Sequence, residues 1–324
     1  MPLEIRRGLD SDLPAILNLL RDSLGWAPDE RHEALFSWKH RASPFGPSAA
    51  WLGFDGEHLV GLRMLMRWEF EHDGRVQRAV RAVDTATHPD YRGRGVFTAL
   101  TLRALEDLER EDVAFVFNTP NDQSRPGYLK MGWRVVGRLP VAVRPSSPAA
   151  LARMMRARTP AERWSAPSAA GMPALDALGD RTELERLLAS RRGAGAMTTR
   201  LTPEYLMWRY GSRPIDYRAL VGREGVRSGL AIFRVRQRGP TREMVLCDVL
   251  VAGDDERLRR DLLRRVAQVA DTDYVIAIEQ RAVSAAGFVR LPRQGPILTS
   301  RLIGADRVPT LGEWQLRLGD VELF

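Results

Sequence analysis

Between Val83 and Leu100 the chain runs from an apolar strand, through a basic glycine-rich loop, into a helix: Val83-Asp-Thr-Ala-Thr-His-Pro-Asp-Tyr-Arg92-Gly93-Arg94-Gly95-Val96-Phe97-Thr98-Ala-Leu100. A strand that turns through such a loop into a helix aims successive backbone amides and a helix N-terminus at one spot, which suits an anion. Gly93 and Gly95 let the backbone approach a ligand closely. Arg92 and Arg94 add positive charge. Physically this is a diphosphate cradle. It is not a Walker loop, because no Gly-Lys-Ser/Thr follows, and not the Rossmann pattern, because the third glycine is missing. Taken alone, Arg-Gly-Arg-Gly is equally what a solvent-exposed turn would carry.

With 324 residues there is room for two domains of ordinary size. A hydrophobic content of 44% and a charged content of 28% exclude wholesale disorder, collagen and a coiled-coil rod. No apolar run reaches the roughly 18–20 residues that span a bilayer, and the N-terminus has no signal-type apolar stretch. Cys247 is the one cysteine, so no intramolecular disulfide and no multi-cysteine metal site is possible. The five histidines show no paired spacing, and no metal is expected. These features predict a cytoplasmic protein with no membrane partner. The net charge of +8 is unevenly spread. Residues 1–145 hold 20 basic and 20 acidic side chains, which leaves 29 (49 − 20) and 21 (41 − 20) for residues 146–324. No nucleic-acid module is visible in that basic half, so it reads as a solvated arginine-rich surface and nucleic acid is not expected as a partner. The oligomeric state is not legible.

Periodicity and turn residues predict an order of elements. Leu3–Arg7 is extended, and Asp10 or Ser11 caps a helix whose apolar face is Ile16, Leu17, Leu19, Leu20 and Leu24. A short helix covers Asp29–Lys39. Ala50–Phe54 and Leu59–Arg67 form a hairpin across Asp55-Gly56. A turn at Asp73-Gly74 leads to a strand over Val76–Thr87. Gly95–Glu109 is helical, Val113–Asn118 a strand, Ser124–Lys130 a short helix and Trp133–Val136 a strand. Residues 145–178, rich in Pro, Ala and Ser, read as a linker or as an ordered Ala/Arg helix. The second half then repeats the first: Trp38-Lys-His-Arg-Ala-Ser-Pro44 matches Trp208-Arg-Tyr-Gly-Ser-Arg-Pro214, and each is followed by an aromatic strand, a polar turn and Gly. The expected organisation is a first domain over 1–144, a linker over 145–178 and a second domain over 179–324.

Downstream of the loop lies Asn121-x-x-Ser124-x-x-x-Tyr128-Leu-Lys-Met-Gly132-Trp133. This pair of motifs resembles the GCN5-related N-acetyltransferase superfamily (GNAT). Its members carry an Arg/Gln-x-x-Gly-x-Gly/Ala loop, then Asn, a small residue, Tyr and a Gly-aromatic pair. The resemblance covers about residues 3–140. Phe97 stands where the family has Gly or Ala, so its side chain must point away from the amides or shape the cofactor pocket. The tandem arrangement looks like bacterial two-domain members whose second copy is degenerate. The resemblance implies a mixed α/β (α+β) fold in two tandem copies. Each would be a largely antiparallel sheet with a central splayed parallel strand pair, flanked by helices.

It also implies a mechanism. Acetyl-CoA would lie between the splayed strands Val80–Thr87 and Val113–Asn118. The backbone of Thr85, Ala86 and Thr87 would pair with the pantetheine, and an amide near Thr85 would polarise the thioester carbonyl. Arg92, Gly93, Arg94, Gly95, Val96, Phe97 and Thr98 would hold the diphosphate. Asn118, Asn121 and Ser124 would line the pantetheine arm. Tyr128 would protonate the departing thiolate, for which a phenol, neutral at pH 7, is suited. The amine acceptor must lose a proton. Some relatives use a Glu on the strand before the loop, but Arg81 stands there, so the base is unassigned. Asp84 is the candidate on that strand. Simple alternation puts it on the face opposite Arg81, Val83 and Thr85, where it also reads as a buried structural carboxylate. His88, followed by Pro89, reads as a turn residue. His32, Glu33, Trp38 and His40 lie on the segment that shapes the acceptor pocket in the superfamily. The second copy has Val251-Ala-Gly-Asp254-Asp-Glu-Arg-Leu258 in place of the basic loop, and these carboxylates would repel a diphosphate.

The leading expectation is an acetyl-CoA-dependent N-acyltransferase acting on an amine that the sequence does not identify. A Fem-type aminoacyl-tRNA-dependent transferase, a mycothiol-synthase-like enzyme and a non-catalytic acyl-CoA-binding sensor remain open beside it. The C-terminal run Trp314–Glu322 reads as a solvated terminus, or else as an edge strand with carboxylates near a domain junction.

Overall fold

Apolar alternation closed by Asp-Gly turns builds the first sheet. The computed structural model describes residues 3–25, 29–157, 159–191, 195–212, 214–278, 281–305 and 307–322. The chain opens with β1 (Glu4–Arg7) and α1 (Leu13–Leu24). Asp12 holds the N-cap position of α1 without a side-chain bond into the helix; its carboxylate accepts from the Leu9 amide and from Arg6. The cap thus lies just beyond the Asp10 or Ser11 expected. Helix α2 (Glu30–His40) starts at Asp29, whose side chain accepts from the Arg31 amide. β2 (Ala49–Asp55) and β3 (His58–His72) form the hairpin at Asp55-Gly56, and β3 runs unbroken through Glu69–Glu71. Asp73 and Gly74, both at positive φ, return the chain into β4 (Arg75–Thr87). Then follow α3 (Val96–Leu108), β5 (Phe115–Asn118), α4 (Arg125–Lys130) and β6 (Arg134–Arg138).

The second half begins with β7 (Val141–Pro145) and α5 (Pro148–Arg156), capped by Ser147. β8 (Met172–Pro173), α6 (Ala174–Gly179) and α7 (Arg181–Ser190) follow. Residues 145–178 are therefore not a plain linker: they hold two helices and a strand, because Ser147-Pro148 is a strong helix start. Next come β9 (Thr198–Thr199), α8 (Pro203–Tyr210), β10 (Arg218–Gly222), β11 (Gly225–Arg238) and β12 (Thr241–Val251). α9 (Glu256–Val269), β13 (Tyr274–Ile278), α10 (Arg281–Ala285), β14 (Val289–Arg290), β15 (Ile297–Leu302) and α11 (Leu318–Val321) complete the chain. Trp38 and Trp208 are buried at matching places near the ends of α2 and α8. Arg213 of the repeated segment lies outside the described residues.

The fold is mixed α/β with two mixed sheets. One runs β1-β2-β3-β4-β5-β15-β6, the other β14-β7-β13-β12-β11-β10-β8. In the first, β4 and β5 are parallel over Ala79–Arg81 and Phe115–Phe117. In the second, β12 and β13 are parallel over Glu243–Val245 and Tyr274–Ile276. Two compact units result: residues 1–71, 75–137 and 297–310 form one, and 72–74, 138–296 and 311–324 the other. The expected boundaries at 144 and 178 do not coincide with this division. β7 from the first half pairs with β13, and β15 from the second half pairs with β5. Strand partners are chosen across the whole chain, which a linear reading does not capture.

In the first unit the sheet is covered on both faces. Val96, Leu100, Ala104 and Leu108 of α3 pack with Trp51, Leu65, Val80 and Val116 on one face. Ile16, Leu17 and Leu20 of α1 pack with Phe36 of α2 and with Leu52, Leu62 and Met64 on the other. In the second unit the C-terminal run is buried rather than solvated: Trp314, Leu316, Leu318 and Asp320 are all inside, and Asp320 accepts from the Arg317 backbone and guanidinium. Among the described residues no helix is long and apolar enough to cross a membrane.

Gly61 permits the close approach of α3 to β3. A Cβ there would lie 2.5 Å from the nearer Val96 methyl and 2.8 Å from Leu100. Gly61→Ala is expected to cost about 1–3 kcal/mol through overpacking, read as a lower urea midpoint at unchanged m.

Candidate functional site

β4 carries the site, and its side chains do not alternate to the end. Ala82 packs with the α3 cluster and Val83 with the α1 cluster, as period two requires. Asp84 interrupts the sequence with φ 20°, a sparsely populated conformation for a non-glycine residue. Its carboxylate turns toward α2, on the same face as Val83. Thr85 then points to the α3 side and Ala86 back to the α1 cluster. The order of faces thus slips by one position at Asp84, as it does at a bulge. The expected alternation therefore holds for Asp84 against Thr85 and fails for Asp84 against Val83.

On the α2 face a buried polar cluster holds the bulge. Lys39 Nζ donates to Asp84 Oδ2 at 2.8 Å, and His40 Nε2 lies 2.7 Å from the same oxygen. His40 Nδ1 lies 2.9 Å from Ser48 Oγ. Burial alone would raise the Asp84 pKa, but Lys39 and His40 outweigh it and hold the carboxyl well below the usual carboxylate range. Burial pushes His40 down from its ordinary value, against the pull of Asp84. The imidazole is therefore neutral at pH 7, donating to Asp84 and accepting from Ser48. A carboxylate this strongly ionised and already bridged by two donors is a poor proton acceptor. Its evident work is to fix the bulge.

On the α3 face Arg63 is fully buried in the middle of β3. Its Nη1 donates to Thr85 Oγ1 and, at 2.7 Å, to the Tyr128 phenol oxygen. Tyr128 is buried at the foot of α4, with Trp133 tilted against it at 5.1 Å and the Phe97 ring edge-on at 5.3 Å. Phe97 also meets Gly127, where a Cβ would lie 3.0 Å from its ring. Phe97 therefore points back into the α3–α4 contact, away from the loop amides.

The loop itself is open. Gly93 and Gly95 take φ 75° and 81°, and nothing crowds either position, so here glycine answers to φ and not to space. Gly95 caps α3 with no side-chain hydrogen bond. The amides of Val96, Phe97 and Thr98 open the helix. Arg94 stacks 4.9 Å from the Tyr91 ring, and Arg92 donates to the Ser23 carbonyl. His88 accepts from the Asp90 amide, as a turn residue does.

Several expected ligands already have local partners. Asn121 Oδ1 accepts from the Ser124 amide and hydroxyl, both at 2.9 Å, and so shapes the start of α4. Asn118 Oδ1 accepts from Thr299 of β15 at 2.6 Å. The Thr87 carbonyl accepts from Ser23. The loop with Val96–Thr98, the Thr85–Thr87 segment and Tyr128 are brought together around the end of β4. Asn118, Asn121 and Ser124 stand at the end of β5 and before α4. The sequence reading missed Arg63 and Lys39. Arg63 is an arginine within the apolar run Leu59–Leu65, and Lys39 is one of two lysines in the chain; both oddities were visible signals.

The second unit handles the equivalent positions differently. Asp255 caps α9 with its own carboxylate, which accepts from the Arg257 and Leu258 amides. A cavity of about 230 Å³ opens where β12 and β13 part, and its wall carries the Arg317–Asp248 ion pair at 3.0 Å.

Residues 4–136 match the family model of the acetyltransferase (GNAT) domain. Solved structures share the fold along nearly the whole chain. A probable N-acyltransferase from Enterococcus faecalis superposes with a TM-score of 0.64 at 13% identity, covering 94% of this chain and 73% of that one. A GCN5-related N-acetyltransferase from Anabaena variabilis gives 0.65 at 12% identity, covering 93% and 73%. Another from Kribbella flavida gives 0.61 at 16%, covering 94% and 72%. No curated protein matches the sequence.

The Lys39–Asp84–His40 cluster makes two measurable demands. Asp84→Asn leaves the buried Lys39 ammonium facing an amide, and is expected to cost about 3–5 kcal/mol in chemical unfolding. The unfolded chain takes up a proton at His40 near pH 6.5 that the folded chain resists, so stability is lost as pH falls below that value. The lowered pKa of Asp84 acts in the same direction further down: its contribution is present above about pH 4 and goes as pH falls toward the folded value. Tm is therefore expected to fall between pH 7.5 and 5 in the native protein. His40→Gln should start lower and show a flatter profile over that window.

Proposed function

We propose that the chain transfers an acetyl group from acetyl-CoA to an amine acceptor, which attacks the thioester directly. The observation that carries this reading is the start of α3. Two glycines at positive φ, Gly93 and Gly95, each follow an arginine, and the helix N-terminus has no side-chain cap. It stands at the end of a strand whose register with its parallel neighbour covers three residues, Ala79–Arg81. Backbone amides, helix dipole and guanidinium charge converge there, as a diphosphate requires.

In this reading residues Arg92–Thr98 hold the diphosphate. The backbone of Thr85–Thr87, past the bulge, receives the pantetheine and polarises the thioester carbonyl. Asn118, Asn121 and Ser124 flank the arm. Tyr128 gives its proton to the departing sulfur. Asp84 enters as a positioning residue and not as the base, because its carboxylate is fully engaged by Lys39 and His40. The acceptor nitrogen sheds its proton to solvent. The second unit is taken as a diverged copy without a CoA site, since Asp255 fills the start of α9 with negative charge. A consumer of acetyl-CoA is placed in the cytoplasm.

Isothermal titration of acetyl-CoA is expected to show one site per chain, lost in the Arg92→Glu/Arg94→Glu double variant. Two sites would overturn the assignment of the second unit. No binding by the folded protein would overturn the reading itself. With an amine acceptor found by screening for CoA release, Tyr128→Phe is expected to lower kcat by about 10²–10⁴ while acetyl-CoA still binds.

A further inference from the structure

A guanidinium sealed from water ordinarily sits against a carboxylate or a set of carbonyl oxygens, because an uncompensated buried charge is costly. The second unit follows this rule. Its fully buried Arg234 donates to Glu322 and to the Arg163 carbonyl. Its fully buried Arg209 donates to the carbonyls of Gly319 and Glu322. Arg63 does not follow it. Among the described residues no carboxylate pairs with Arg63. Nη1 reaches two neutral hydroxyls, those of Thr85 and Tyr128. The guanidinium carbon lies 5.3 Å from the centre of the Tyr128 ring and 5.7 Å from that of Phe97. Nε and Nη2 are buried with no hydrogen-bond partner. The charge is held by two weak acceptors and two ring faces.

We propose that Arg63 is the positioning residue for the proton donor, and that its missing counter-charge is supplied by the reaction, on the phenol oxygen of Tyr128. This rests on the acyl-transfer reading above. As the amine nitrogen bonds to the acyl carbon, the carbon–sulfur bond breaks and sulfur takes the bonding pair. The Tyr128 proton passes to that sulfur. The phenol oxygen keeps the O–H pair and becomes a phenolate, which accepts the Nη1–H of Arg63. The acceptor nitrogen releases a proton to solvent and the phenolate takes one back, so amine and thioester become amide and thiol. Before the transfer Arg63 donates to a neutral phenol. During it the same bond joins a cation to a developing anion between two buried side chains, where such bonds are shorter and about twice as strong. An interaction that strengthens only as the reaction proceeds raises kcat and leaves donor binding nearly unchanged. Thr85 completes the arrangement by fixing the other side of Nη1, and the bulge at Asp84 aims Thr85.

A purely structural role for Arg63 makes the opposite prediction. Exchanging a buried charge for an apolar side chain of similar size is often neutral or stabilising. Arg63→Met is therefore expected to fold with a Tm at or above that of the native protein. It should lose about 10²-fold in kcat, with KM for acetyl-CoA within about threefold. Arg63→Lys, which keeps the charge, should recover part of the loss. The double variant with Tyr128→Phe should be no slower than Tyr128→Phe alone, because the two residues act as one device. Should Arg63→Met fail to fold, the cycle is run with Arg63→Lys, and additivity is again the test. Transfer by the native protein, loss in Tyr128→Phe and an unchanged or strictly additive kcat in the Arg63 variants would overturn this proposal and leave the acyl-transfer reading standing. A native protein that neither binds nor consumes acetyl-CoA would overturn both.

Discussion

The clamp of Lys39 and His40 on Asp84 is the interaction on which the first unit's site depends. A non-glycine residue at positive φ persists where its surroundings over-determine it. Here two buried donors from one turn of α2 converge on a single carboxylate oxygen. The bulge they hold redistributes the last residues of β4 between the two faces of the sheet. Without that slip, Thr85 would keep its alternation with Val83 and Asp84 would face α3. With it, the carboxylate is absorbed into the α2 side, and the α3 side receives a hydroxyl. The Asp84 carboxylate is thereby kept off the face that adjoins Tyr128.

The two units put the same local geometry to different use. Each has a short parallel register followed by a 3-10 turn and a helix. In the first, the helix is entered through Gly95, which brings no side-chain cap, and the arginines beside it raise the local positive potential. In the second, Asp255 satisfies two of the opening amides itself. A helix that supplies its own carboxylate has no need of an external anion. The difference rests on side-chain chemistry at one turn, while the sheet order around it is alike.

Local signals in the sequence were read correctly where a local rule governs them. The Asp55-Gly56 hairpin, the amphipathic α1 and α3 and the strand–loop–helix at Arg92–Gly95 depend on turn chemistry and periodicity within a few residues. The site's remaining parts depend on contacts between distant segments. Asp84 sits at positive φ because of residues more than forty positions earlier, so a period-two reading had to misplace it against Val83. Arg63 stood out within an apolar run, but its partners Thr85 and Tyr128 come from two other elements. Asn121 matched a family motif and Asn118 was expected to line the same arm, yet their side-chain oxygens have structural partners, Ser124 and Thr299. The exchange of β7 and β15 between the sheets, and the burial of Trp314–Asp320, involve strand edges and cavities that exist only once the whole chain has folded.

The two faces of β4 also differ in how completely their charges are satisfied. On the α2 side the carboxylate, ammonium and imidazole form a closed set, and His40 is bonded at both nitrogens. On the α3 side a guanidinium is left with two unfilled donors. A fold selected for stability alone has every reason to close the second set as it closed the first, since an apolar side chain would fill Arg63's place at less cost. Strain and unsatisfied charge in a stable protein tend to collect where chemistry requires them. The closed cluster holds the backbone still, and the open one faces the hydroxyl whose charge would change. The side of β4 that bears Asp84 is thus closed, while the side that bears Thr85 keeps two unfilled Arg63 donors beside Tyr128.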